Sequence, residues 1–296
     1  MNRGTWYALA AYTVWGVLPI FWKWLHHLPA LEIVAHRMIW SFVFLALVLT
    51  MRQEWQALWR AARHRRVILA FLATALLLTA NWLVYVWAVN AGHIVETSLG
   101  YFINPLVNVL LGVIFLRERL RAGQWAAIAV AAAGVLYLTV SYGALPWIAL
   151  ALAFTFGFYG LLKKATPLTS LQGLTLETSV LFVPTLLYLG LLGWTGTGSF
   201  GAGSWRTDLL LILAGVMTTG PLLLFAAAAR RVPLSMMGVL QYIAPTLQFL
   251  IGVLLYHEPF TPVRLVGFCL IWIALLIYSV EGVMAHRRPA AVAGGA

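Results

Sequence analysis

The residues with chemical potential in this 296-residue chain are few, and most stand inside apolar runs. Arg37 lies about six residues into a hydrophobic stretch, where an unpaired charge costs roughly 2.5–3.5 kcal/mol even on the mildest insertion scale. Glu177 lies at a comparable position in a later stretch, and a shift of 140 residues carries 37 onto 177. An Arg–carboxylate pair between them would reduce both desolvation costs and is the expectation from that spacing. A purely structural pair, or two side chains snorkelling to opposite surfaces, stays open beside a functional one.

A second polar set repeats every fourth residue: Glu96, Gly100, Asn104, Asn108 and Gly112. That spacing puts them on one slowly rotating helix face. Carboxylate, amides and glycines suit a close helix contact or a wet cavity better than lipid. Gln241 and Gln248, seven residues apart, form the counterpart face, and Pro105 and Pro245 free carbonyls nearby. Trp82, Tyr85, Tyr101, Tyr159 and Tyr242 are the aromatic candidates for cavity walls with polar tips. The predicted site is therefore a cavity bounded by Glu96, Asn104 and Asn108, by Gln241 and Gln248, and by Trp82 and Tyr85. Packing of amides at small-residue seams is the alternative for each face.

Enzyme chemistry finds no support in the pattern. No Gly-x-Ser-x-Gly, HExxH or P-loop appears, His26-His27 completes no ligand set, and the single Cys269 permits neither a disulfide nor a cysteine metal cluster. No cofactor is expected.

The elements that must position these residues follow from composition. Hydrophobic residues make up 62% of the chain and charged residues 9%, whereas a soluble domain carries roughly 25% charged residues. The chain reads as an all-α membrane protein, because only helices of this length satisfy the backbone in lipid. Ten transmembrane helices are predicted near 4–25, 31–51, 67–90, 94–116, 123–141, 144–162, 170–193, 207–229, 233–256 and 262–283. The first run is too long for a cleaved signal and reads as the first span. Residues 54–66 suit an interfacial amphipathic helix, and a disordered cytoplasmic tail is expected over 286–296.

Fifteen of the 19 Lys and Arg fall on one set of connections, three (Lys23, Arg206, Arg264) on the other, and Arg37 within a span. By the positive-inside rule both termini are cytoplasmic. The net charge of +11 is then a topology signal directed at anionic headgroups rather than at nucleic acid.

The same 140-residue shift sets Pro105 on Pro245, Gly112 on Gly252, Glu118 on Glu258 and Phe42 on Phe182. Two five-span repeats, 1–143 and 144–285, are the expected domains, and an odd span count inverts the second copy. Inverted repeats are a transporter construction with the site at their interface; packing alone is the other reading.

Several stretches carry a family resemblance: AAYTVWG at 10–16, HRMIWS at 36–41, NWLVYVWAVN at 81–90 (with Asn81 at its head), ETSLGYFINPLVN at 96–108 and QYIAPT at 241–246. They make the chain similar to the EamA family of the drug/metabolite transporter superfamily over nearly its whole length. The resemblance implies a multi-pass permease of the bacterial inner membrane, with a central cavity opening alternately to each side. Its expected cargo is a small amphipathic metabolite, amino-acid-like or aromatic, exported or exchanged by a monomer or homodimer. Proton-coupled drug efflux and, from another class, a membrane-embedded lipid enzyme are the alternatives.

Overall fold

A computed structural model describes residues 3–117, 119–164, 168–229, 231, 237 and 240–287 of the chain. Among them every regular element is helical. The helices are α1 (Arg3–Lys23), α2 (Ala30–Met51), α3 (Trp55–Ala62), α4 (Arg65–Asn90), α5 (Ile94–Leu116) and α6 (Ala122–Tyr142). They continue as α7 (Trp147–Lys164), α8 (Ser170–Trp194), α9 (Trp205–Ala229), α10 (Ile243–Leu250) and α11 (Pro262–Arg287), with a π-helical turn Ile251–Leu255 completing α10.

Seven of these are long and apolar enough to cross a bilayer: α2, α4, α5, α6, α8, α9 and α11. The expected count was ten. The difference has local causes. Trp6, Tyr7, Tyr12, Trp15 and Trp22 lower the hydropathy of α1, while α7 and the α10 segment are apolar but short. Most of the ninth stretch before Gln241 lies outside the described residues, as do Glu118 and the tail from residue 288 onward. His286 and Arg287, assigned to that tail, still belong to α11. The amphipathic α3 forms where it was expected, burying Leu58 and exposing Trp59.

Three helix pairs share one geometry. In α2 and α8, Thr185 lies against Met38 and the Phe42 and Phe182 rings stand 4.7 Å apart. In α5 and α10, Phe102 stacks on Tyr242 at 6.5 Å, and Gly252, in the π-helical turn, faces Val95. In α6 and α11, Gly123 meets Glu281, Gly134 meets Leu270 and Leu138 meets Gly267. As one partner's number rises the other's falls, so each pair is antiparallel.

Two further helices cross between these pairs. The α1 helix packs on α9 and α10, and α7 packs on α4 and α5. Close approach depends on missing side chains. A Cβ at Gly215 of α9 would lie 2.5 Å from the backbone of Trp40, and one at Gly100 of α5 would lie 2.8 Å from the Ala149 carbonyl oxygen. Small residues are what allow such seams without a hydrophobic driving force between helices.

The caps repeat as well. Arg117 and His257, 140 residues apart, both end their helical segments with φ near +55° (55° and 52°). Each left-handed non-glycine residue costs about 1–2 kcal/mol. Just past His257, the Glu258 carboxylate accepts the N–H groups of Ile94 at 2.7 Å and Val95 at 2.8 Å, capping α5.

Candidate transport site

Arg37 points from α2 into the bundle and is almost completely buried. Its guanidinium carbon sits 3.9 Å from the Trp82 ring centre on α4 and 5.2 Å from that of Trp22 on α1. Such stacking contributes roughly 0.5–2 kcal/mol per ring, more when desolvated. The Nε and Nη1 atoms meet no acceptor among the described residues. Around the guanidinium stand the phenols of Tyr85 and Tyr101, whose rings are 5.7 Å apart; the buried Tyr85 hydroxyl is also without a partner.

Glu177 points from α8 into a separate cluster. Its Oε1 accepts from Lys163 Nζ at 2.6 Å, and its Oε2 from the Tyr159 hydroxyl at 3.4 Å, with Thr74 close by. Lys163 also lies 5.1 Å from the centre of the Phe71 ring. Gly173 makes room for it: a Cβ there would meet the ammonium nitrogen at 2.7 Å.

The expected Arg37–Glu177 pair is therefore not formed. The antiparallel register gives the reason. Where Phe42 meets Phe182, residue 37 falls opposite about 187, so 37 and 177 are some ten residues apart along the helix pair. At 1.5 Å per residue that is about 15 Å, out of reach for any salt bridge. Equal depth in sequence became opposite depth in space.

The remaining candidates divide between seams and open faces. Asn81 donates to the Leu152 carbonyl at 3.0 Å and to Thr155 at 2.9 Å, bridging α4 to α7. Glu96 lies against the backbone of Ile148 and Ala149 at the start of α7. Gln248 donates to the Trp15 carbonyl at 3.1 Å and leaves its own oxygen unpartnered. Asn104 is buried with its oxygen unpartnered, while Asn108 is exposed beside Gly157 of α7. Gln241 and Ser279 stand beside the Tyr242 hydroxyl. Tyr242 lines a groove of about 370 Å³ with Phe102, Thr246, Trp272 and Leu275.

The structure thus brings Arg37, Trp82, Tyr85 and Tyr101 together, and Tyr159 with Glu177. It does not gather Glu96, Asn104, Asn108, Gln241 and Gln248 into one face. Trp22 and Lys163 are the participants that sequence reasoning missed. Lys163 was counted as a loop cation, yet the 140-residue shift that carries Lys23 onto it was available.

The sequence pattern of the EamA-like transporter family matches this chain twice, over residues 2–140 and 145–280. The chain belongs to that family. It is 48% identical over 289 residues to "Uncharacterized transporter YojE" of Bacillus subtilis (strain 168), covering 97% of this chain and 96% of that protein. It is 43% identical over 287 residues to "Protein RarD" of Escherichia coli (strain K12), covering 97% of each. Against "Chloramphenicol-sensitive protein RarD" of Pseudomonas aeruginosa (strain PAO1) the identity is 33%, over 98% of this chain and 97% of that one. A solved crystal structure matches with a TM-score of 0.60 at 18% identity, covering 95% of this chain and 99% of that one, which establishes a shared fold only. The family and the apolar helices together make the chain a multi-pass membrane transporter.

Proposed function

We propose that the chain is a secondary transporter of the bacterial inner membrane that moves a small amphipathic metabolite by alternating access. The reading takes α1, α2, α4 to α9, the segment completed by α10, and α11 as ten spans. They form two five-helix halves, 1–143 and 144–285, inverted relative to each other, with both termini cytoplasmic. The observation that carries it is the meeting of repeat-equivalent helices in antiparallel pairs. The crossing points are themselves equivalents under the 140-residue shift, Phe42 with Phe182 and Phe102 with Tyr242. A pseudo-two-fold axis in the membrane plane accounts for both crossings. It also accounts for α1 on α9 and α10 being matched by α7 on α4 and α5. The double match to one family pattern supports the same duplication.

Two halves that exchange conformations about such an axis open a central site to one side and then the other. The cargo is a small molecule with an apolar body, exported or exchanged. The cationic loops face anionic lipid headgroups, and the working unit is a monomer or homodimer without nucleic acid or catalytic chemistry.

Reporter fusions at residue 296 and in the loop at 195–204 test the topology: a cytoplasmic signal from that loop overturns the inversion. Counterflow in proteoliposomes, screened over amino acids, aromatic metabolites and chloramphenicol, tests transport. Absence of any protein-dependent exchange refutes it.

A further inference from the structure

Charged side chains outside the Arg37 cluster have visible partners. Lys163 holds Glu177 at 2.6 Å, Arg121 holds Glu281 at 2.6 Å, Glu258 caps α5 and Glu32 accepts from Ser199. Arg37 alone is a fully buried cation whose Nε and Nη1 meet no acceptor among the described residues. Leaving one partner of a buried charge unpaired is strongly unfavourable, and two indole faces offset only part of it.

Comparison of the halves sharpens the point. The 140-residue shift carries Lys23 onto Lys163 and Arg37 onto Glu177. In the second half these positions form a neutral ion pair. In the first they are both cations. Lys23 turns away, donating to the Asn90 carbonyl at 3.3 Å and lying 5.3 Å from the Tyr256 ring centre. Arg37 is left where its repeat-equivalent brings a carboxylate.

We infer that Arg37 anchors the carboxylate of the transported solute, so that the cargo is an organic monoanion or zwitterion with an apolar body. The inference rests on the transport reading above and names its substrate class. The chemistry of the surroundings selects it. The guanidinium offers N–H groups, and the unpartnered Tyr85 hydroxyl and Trp22 indole N–H supply further donors. Trp22, Trp82 and Tyr101 supply flat apolar walls. Among the described residues no carboxylate contacts the guanidinium, and a single buried cation compensates a single negative charge, which disfavours dianions. Packing is tight: the neighbouring space, lined by Met38, Leu78, Trp82 and Glu177, does not admit a water molecule. Solute therefore enters only when the packing around Arg37 opens.

The test uses the full chain in lipid nanodiscs and three carboxylates, each against its amide: phenylacetate, hexanoate and L-phenylalanine. Isothermal titration is expected to give saturable binding of at least one carboxylate, with its amide at least tenfold weaker. Arg37→Gln should abolish the preference, and Arg37→Lys should retain part of it. Tyr85→Phe removes only an unpartnered hydroxyl; it should fold as the parent and bind the carboxylate several-fold more weakly. The inference is overturned if no carboxylate outbinds its amide, or if the preference survives Arg37→Gln. If Arg37→Gln does not yield monodisperse protein, an undiminished preference in both Arg37→Lys and Tyr85→Phe overturns it instead. Liposome flux separates the two readings. Arg37-dependent binding without movement of the bound probe leaves the anion site standing and refutes transport. Protein-dependent flux that is indifferent to the carboxylate and to Arg37 does the reverse.

Discussion

The Lys163–Glu177 pair offers a quantitative test of how this bundle is held together. Glu177 is 1% exposed, Lys163 is 20% exposed, and they meet at 2.6 Å. Replacing Lys163 by Met keeps an unbranched apolar stem and removes the ammonium that lies over Phe71. Breaking a fully buried pair costs roughly 3–5 kcal/mol, because the remaining charge is stranded. Partial exposure of Lys163 places the expected loss at the lower end, about 3 kcal/mol. Glu177→Met should cost a similar amount, since Lys163 is then left over Phe71 and Tyr159 without its carboxylate. The double variant strands no charge and leaves only the Tyr159 hydroxyl without its acceptor. An apolar replacement of a whole buried pair is often neutral or stabilising, so its loss should be below about 1 kcal/mol. Reversible unfolding in mixed micelles, monitored by tryptophan fluorescence, measures all three. The coupling free energy should exceed about 2 kcal/mol in magnitude. Additive losses, or a Lys163→Met penalty under about 1 kcal/mol, would refute the claim that the pair is desolvated and mutually dependent.

Arg37→Met combined with Glu177→Met should be additive within about 0.5 kcal/mol in the same assay, as expected for sites more than about 10 Å apart with no hydrogen-bond partner in common. Gly215→Ala forces a Cβ into the Trp40 backbone at 2.5 Å and should cost about 3 kcal/mol, the upper part of the overpacking range. Unchanged unfolding would show that α2 and α9 can separate freely. Glu258→Ala uncovers the N–H groups of Ile94 and Val95 and should cost about 1–2 kcal/mol, with faster amide exchange confined to the start of α5. Asn104→Leu replaces a buried amide whose oxygen is unpartnered and should leave stability unchanged or raise it. A clear loss would mean that the amide has a partner the geometry does not reveal.

Much of this was legible in the chain. Length and apolarity dictate helices, because a backbone in lipid must satisfy its own hydrogen bonds. The duplication was readable because Pro105 and Pro245, Gly112 and Gly252, and Phe42 and Phe182 keep one register. The burden of a charge at Arg37 was readable from its apolar neighbours alone. What each polar residue faces was not. The α5 residues spaced by four were readable as one helix face, yet that face meets α7, where Gly100 packs on Ala149 and Gly157 on Asn108. Periodicity defines a face and is silent about what covers it.

The pairing of charges shows the division most clearly. Sequence placed Arg37 and Glu177 at matched positions in two copies, and matched positions suggested a partnership. Antiparallel packing of α2 on α8 instead sends repeat-equivalent residues before the crossing point in opposite directions, whereas Phe42 and Phe182, at the crossing itself, meet. Lys163, next to Lys164 and easily read as a loop charge, turns inward because Gly173 leaves it space and Glu177 attracts it. The sequence by itself determined that there are helices, that they repeat, and which side chains are costly to bury. The tertiary structure decided the partners, because partnership depends on the relative direction and depth of helices, and neither is written in the spacing along one chain.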